Sequence, residues 1–318
     1  MKHLKAERRI VGIVFLIVLL GFIGKPVCAF ELKWGTGRAG GLWVTIGAAM
    51  VERVKNENPD ITGTALPGQG GHNFLGIKSG RFNIAFATTD ASTFAWEGKE
   101  IYAGKKFQGF RNVACLYPHI SQYLVWADSG IKTFADLKGK KITYGGRGSG
   151  SELNVRKLLE FYGVLDQVRF EYLSFSDASN RMKDRHIDGF FLNSAFPFPV
   201  YMELANMRPI RFLEVAEDKI KAMLSWNSGL DRSFIPAGGY KGIDKRVDGF
   251  AYRMHLVAAA DVPDDIVYKI TRTIARNLPN FGKVAKAMAS VTVKDMAREI
   301  SLPFHPGAER YYKEANVR

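Results

Sequence analysis

Apolar and polar positions divide the chain into a short leader and two halves built on a similar plan. Ile10 to Ile23 is an uncharged run of 14 residues, shorter than the roughly 20 that span a bilayer as a helix. Lys2, Lys5, Arg8 and Arg9 precede it, and Val27-Cys28-Ala29 follows. This pattern predicts a signal peptide over residues 1–29, cut after Ala29. An uncleaved anchor is the alternative.

Beyond the leader, Glu31 to Trp34 reads as a strand that enters the loop Gly35-Thr36-Gly37-Arg38-Ala39-Gly40-Gly41. Leu42, Ile46, Ala49 and Met50 then share one helical face. Ile61 to Ala65 is a second strand, and 67–71 is a second glycine loop. Phe82 to Ala87 reads as a buried strand ending in Thr88-Thr89-Asp90.

The second half repeats the plan. Lys141 to Tyr144 is a strand, and Gly145-Gly146-Arg147-Gly148-Ser149-Gly150-Ser151 is its loop. Val155, Leu158, Leu159 and Tyr162 form the next helical face, which Gly163 closes. Glu171 to Phe175 reads as a strand, Ser176 to Arg185 as a helix, and Ile187 to Leu192 as a buried strand ending in Asn193-Ser194. Glycine loop and polar strand end are 53 residues apart in the first half (Gly35 to Thr88) and 48 in the second (Gly145 to Asn193). Two long apolar strands, Gln122 to Ala127 and Tyr252 to Ala259, read as crossovers that pair at a hinge. Helices at Asp264–Arg276 and Val293–Ile300 are expected to return to the first half.

Composition supports a folded core, with 47% apolar and 24% charged residues. The chain carries a formal +14, of which the leader supplies +4 from five basic residues less Glu7. The remaining basic surface suits an anionic solute or an anionic membrane surface, or is simply solvated. Nucleic acid is an unsuitable partner for an exported chain. Once Cys28 is removed with the leader, Cys115 is alone, so no internal disulfide forms and stability rests on packing.

The candidate chemistry is that of binding. Gly35-x-Gly37-x-x-Gly40 spells a dinucleotide fingerprint, but Ile61 to Ala65 ends in Leu66-Pro67, without the acid that holds a ribose. No Gly-Lys-Ser/Thr of a P-loop occurs, the histidines lack zinc spacing, and no Gly-x-Ser-x-Gly elbow is present. No cofactor, metal or catalytic residue is therefore expected. The second glycine loop is the better anion site. Ser149-x-x-Glu152 is a capping-box pattern, and the N–H groups and hydroxyls of Ser149 and Ser151 with Arg147 could grip a carboxylate. A plain helix cap with a solvated arginine is the alternative. Phe196 follows the polar strand end and could wall a cleft.

Taken in order, several segments resemble the solute-binding proteins of the TRAP transporter TAXI family. They are Gly35-Thr36-Gly37 with Gly40-Gly41; Ser79-Gly80 through Asp90; Ser129-Gly130-Ile131-Lys132; Asp136-Leu137-Lys138-Gly139-Lys140; Gly148-Ser149-Gly150; Ile235-Pro236-Ala237-Gly238; and Pro303-Phe304-His305-Pro306-Gly307-Ala308. The resemblance implies an α/β, type II periplasmic-binding-protein fold: two lobes joined by a two-strand hinge, with a ligand cleft between them. Lobe 1 would comprise residues 30–124 and 250–318, and lobe 2 residues 125–249.

It further implies a monomeric periplasmic receptor. This would hand a small carboxylate, a dicarboxylate or a glutamate-like amino acid, to an ion-gradient-driven TRAP permease. By position the ligand contacts would be Thr36, Gly37, Gly40, Gly41, Thr88, Thr89 and Asp90, facing Ser149, Gly150, Ser151, Asn193 and Ser194. Arg38 and Arg147 stand where the family carries uncharged residues, and either favour a more acidic solute or lie at the rim. An exported enzyme on the same scaffold, or a receptor for an ABC transporter or sensor kinase, remains open.

Overall fold

The computed structural model describes residues 29–37, 41–68, 72–146 and 150–318. The predicted leader, apart from Ala29, lies outside the described residues, as do Arg38, Gly40, Arg147 and Ser149. No helix among the described residues is long and apolar enough to cross a membrane.

The first half runs β1 (Phe30–Gly35), α1 (Leu42–Glu57), β2 (Ile61–Leu66), α2 (Phe74–Lys78), β3 (Ile84–Thr88) and α3 (Thr89–Glu97). A long strand, β4 (Phe110–Trp126), leads to β5 (Lys141–Thr143), α4 (Gly150–Phe161), β6 (Arg169–Glu171), α5 (Phe175–Lys183) and β7 (Gly189–Ser194). Then come α6 (Pro199–Met207), β8 (Ile210–Phe212), α7 (Glu217–Trp226), β9 (Leu230–Ile235) and the long β10 (Val247–Ala259). The chain ends in α8 (Asp264–Arg276), α9 (Leu278–Val284), α10 (Val293–Met296) and α11 (Pro306–Glu314).

These strands form one sheet in the order β2-β1-β3-β10-β4-β7-β5-β6, with β8 also on β4 and β9 on β10. The sequence repeat is visible in its wiring. β1 lies parallel to both β2 and β3, and β5 lies parallel to both β6 and β7. Each parallel trio then meets a long antiparallel strand, β3 against β10 and β7 against β4. β4 and β10 pair with each other from Phe110↔Ala259 to Ile120↔Ala251.

The paired part of the outgoing crossover therefore starts well before Gln122, and residues beyond Ile120 pair with β7 and β8 instead. Asn112, Pro118 and His119 interrupt the apolar run that would have marked the whole strand. The pairing tolerates Pro118 beside an irregular register between Arg253 and His255, as expected of a proline inside a sheet.

Other boundaries differ from the sequence expectation too, β10 starting at Val247 rather than Tyr252, and two of them involve a helix cap. The strand predicted over Glu171–Phe175 is Arg169–Glu171, because the Ser174 side chain accepts the Asp177 N–H and starts α5 at Phe175. The helix predicted over Val293–Ile300 stops at Met296, although Thr292 and Asp295 cap it reciprocally.

One apolar core joins Trp34, Ile46, Phe86 and Phe110 to Leu256, Ile270 and Tyr312, so the C-terminal helices do return to the first half. Two further cores, around Phe191 and around Tyr201, fill the second half. The changeover falls within β4 and β10: Tyr117 and Met254 belong to the first core, Tyr123 and Tyr252 to the second.

The outer pair β1–β2 depends on a glycine. Gly63 has φ +140°, and a Cβ there would stand 2.0 Å from the Leu32 carbonyl oxygen. Gly63→Ala is expected to cost about 2–3 kcal/mol. The check is a lower urea midpoint with an unchanged slope.

Candidate functional site

The carboxyl ends of the parallel strands from both halves converge on one cavity of about 280 Å³. Asp90, Ala91 and Phe94 of α3 form one wall, and Gly150, Glu152, Leu153 and Arg156 of α4 form the other. His72, Ile101 and Tyr102 complete the lining. Strand ends of this kind, each opening into a helix, are where open α/β sheets bind ligands.

Asp90 sits in the first turn of α3, where its Oδ1 accepts the Ala91 N–H at 2.8 Å. Its Oδ2 accepts the Asn154 side-chain amide at 2.7 Å, a direct bond between the halves. Burial raises the Asp90 carboxyl above the usual carboxylate range, and hydrogen bonds to its ionised form offset this only in part. His72 shares a short hydrogen bond with the Tyr102 hydroxyl, and its burial lowers its pKa. Glu152 Oε1 accepts from the hydroxyls of Tyr144 (3.3 Å) and Tyr172 (3.2 Å). The Arg156 guanidinium lies 5.2 Å from the Phe170 ring centre.

Of the residues expected from sequence, Asp90 and Gly150 line this cavity. The other described candidates do not line it, and several have their polar groups engaged elsewhere. The Thr36 hydroxyl donates to Leu66 O at 2.9 Å, and its carbonyl accepts from Asn73. Gly37 O accepts the Gly68 N–H at 3.0 Å, and Gly41 O starts α1 by accepting from Val44 N. Thr88 ends β3 and is buried.

The Thr89 hydroxyl donates to Gly229 O at 2.6 Å and accepts the Arg253 N–H at 2.9 Å. Ser151 Oγ accepts the Asn193 N–H at 2.9 Å, and Ser194 Oγ accepts from Gln122 at 2.7 Å. The Asn193 side chain is buried, and neither its Nδ2 nor its Oδ1 has a hydrogen-bond partner. Phe196 packs edge-on against Tyr240 at 5.5 Å and does not line this cavity.

Sequence reasoning missed His72, Phe94, Tyr102, Glu152, Leu153, Asn154 and Arg156. On α4 the signal was available: Gly150, Leu153 and Asn154, and likewise Glu152 and Arg156, stand three or four residues apart on the turns following the glycine loop.

Beside the cavity, α3 is fastened to the corner between α7 and β9. Asn227 Nδ2 donates to Asp90 O at 3.1 Å, and the Trp226 indole N–H donates to Glu100 at 2.6 Å. The Trp226 ring meets Phe94 edge-on at 4.8 Å. Gly229 leaves no room for a side chain, since a Cβ would lie 2.3 Å from Thr89 O.

Behind α3, Ser92 Oγ and Asn112 Oδ1 bond the two ring nitrogens of His255 at 2.8 and 3.1 Å. This order resembles a nucleophile, a base and an orienting amide. All three side chains are fully buried and none lines the cavity. They hold β10, α3 and β4 together.

The solved structures similar to this chain include the alkanesulfonate-binding protein SsuA from Xanthomonas axonopodis pv. citri, at 18% identity over 89% of this chain and 83% of that one, with a TM-score of 0.50. The periplasmic aliphatic sulphonate binding protein SsuA from Escherichia coli matches at 16% identity over 91% and 84%, also with a TM-score of 0.50. A TctC solute binding protein from Polaromonas matches at 15% identity over 93% and 100%, with a TM-score of 0.54. The fold is thus the mixed α/β fold of type II periplasmic binding proteins. Residues 34–315 match the model of the NMT1-like family, and the chain belongs to that family.

Two buried histidines generate a pH prediction. Burial pushes His119 down to about 4 and His255 to about 3, so both are neutral in the fold. Unfolding lets each take up a proton below its ordinary value of 6.5. Their contribution is therefore intact above that pH and is lost as pH falls toward the folded-state values. The melting temperature should fall between pH 6.5 and 4, and more gently in His255→Gln than in the wild type. Equal slopes would remove His255 from the acid response.

Proposed function

We propose that this protein is an exported solute-binding receptor that captures a small carboxylate-bearing solute and delivers it to a membrane transporter. The observation that carries the reading is the meeting of α3 and α4 across one cavity, joined directly by Asp90 and Asn154. A solute lodged there touches both halves, so its binding free energy favours the arrangement in which they are closed. Lobe 1 is taken as residues 30–124 and 250–318 and lobe 2 as 125–249; the change of core falls a few residues inside lobe 1, between Tyr117 and Ile120 on β4 and between Tyr252 and Met254 on β10.

The start of α4 supports the carboxylate. Helix N-termini present unpaired N–H groups and a positive dipole end to an anion. Arg147, in the preceding loop, supplies the matching charge in this reading. The periplasm is the proposed compartment, from the predicted leader and the fold. The TAXI-like segments favour an ion-gradient-driven TRAP permease as the recipient. Delivery to an ATP-driven transporter is the reading to be separated from it. A neighbouring gene for a large permease without an ATPase would separate the two.

Native mass spectrometry of the freshly purified mature chain should show a small molecule bound one-to-one and released unaltered. Turnover of that molecule would favour an enzyme instead. Arg147→Ala should weaken binding of a carboxylate-bearing solute about tenfold or more by calorimetry, with the melting temperature unchanged. Unchanged affinity would take Arg147 out of the site.

A further inference from the structure

The receptor reading does not account for the charge on Asp90, the buried acid of the cavity. Asp90 is 4% exposed, and the donors on its carboxylate, Ala91 N–H and the Asn154 amide, are both neutral. Among the described residues, no lysine or arginine forms an ion pair with it. A carboxylate enclosed without a cation is costly, because desolvation is not repaid by attraction.

A second, independent observation lies beside it. Asn154 is fully buried, and its Nδ2 donates to both Asp90 Oδ2 and Gly150 O, at 2.7 and 3.1 Å. That fixes the amide orientation and leaves Asn154 Oδ1 as a buried acceptor that accepts nothing. Two acceptors, one charged, thus occupy the meeting point of α3 and α4. Part of the lining suits a cation, although Arg156 also stands on it. Phe94 and Tyr102 offer aromatic rings, whose faces attract positive charge. Burial lowers the pKa of His72 and so disfavours a competing positive charge there, an effect that the Asp90 carboxylate opposes.

We propose that Asp90 selects solutes carrying a protonated nitrogen, an ammonium or amidinium, which neutralises its carboxylate within the cavity. The inference rests on the receptor reading and narrows it. A dicarboxylate without nitrogen is excluded, whereas a solute that also places a carboxylate at the start of α4 would be held as a zwitterion.

The test combines a ligand panel with one substitution. Mature protein, refolded from denaturant to remove co-purified solute, is titrated with matched pairs: 4-aminobutanoate and butanoate, glutamate and glutarate, benzylamine and benzyl alcohol. At least one amine should bind roughly 100-fold tighter than its partner lacking nitrogen, and Asp90→Asn should abolish the difference. Without ligand, Asp90→Asn should melt about 2 °C or more above the wild type, because an unbalanced buried charge has been removed.

Nitrogen-free partners that bind as tightly as the amines would overturn the proposal while leaving a receptor in place. So would a lower melting temperature for ligand-free Asp90→Asn, which would mean that the carboxylate is already balanced within the chain. A protein that binds no member of the panel, and carries no small molecule when freshly purified, sinks this inference and the receptor reading together.

Discussion

The fold depends on the antiparallel pairing of β4 with β10. Each parallel trio of strands has an inner edge of exposed N–H and C=O groups, which would be left unsatisfied if buried alone. β10 covers that edge for the first trio and β4 for the second, and the two long strands close the ladder on each other. The halves are therefore joined by the same hydrogen bonds that complete them. Side chains along these strands serve both sides. His255 reaches Ser92 on α3, and Ser121 accepts the Phe250 N–H at 3.0 Å.

From this arrangement the position of the cavity follows. Strands of both trios point their carboxyl ends toward the shared centre, and the helices that follow β3 and β5 begin there. Asp90 is enclosed because Asn154 approaches from the opposite helix and Asn227 from the α7–β9 corner. An acid at a helix start normally benefits from the dipole and from water. Here water is largely removed, which makes this carboxylate sensitive to whatever occupies the space beside it.

Much of this plan was legible in the sequence, because glycine loops and buried strands leave strong local signals. The paired halves, the two long crossovers and the return of the C-terminal helices follow from Gly35, Gly145, the apolar run near Tyr252 and the face of α8. The true length of β4 was hidden, because Asn112 and His119 read as surface residues until their tertiary partners are known. In the site, the loops drew attention and the helix faces did not. Glu152, Leu153 and Arg156 look like the outer face of a surface helix, and only the opposing half turns that face into a wall. Thr89 shows the reverse: its hydroxyl, at a loop-like position, is taken up by Gly229 O and the Arg253 N–H.

Trp226 gives the molecule an optical consequence. Its indole is wedged against Phe94 with its N–H on Glu100, so it bridges elements from the two halves. Parting them would strip the ring of its aromatic neighbour and expose it to water. Red-shifted tryptophan emission would then report any such separation directly, with no label attached.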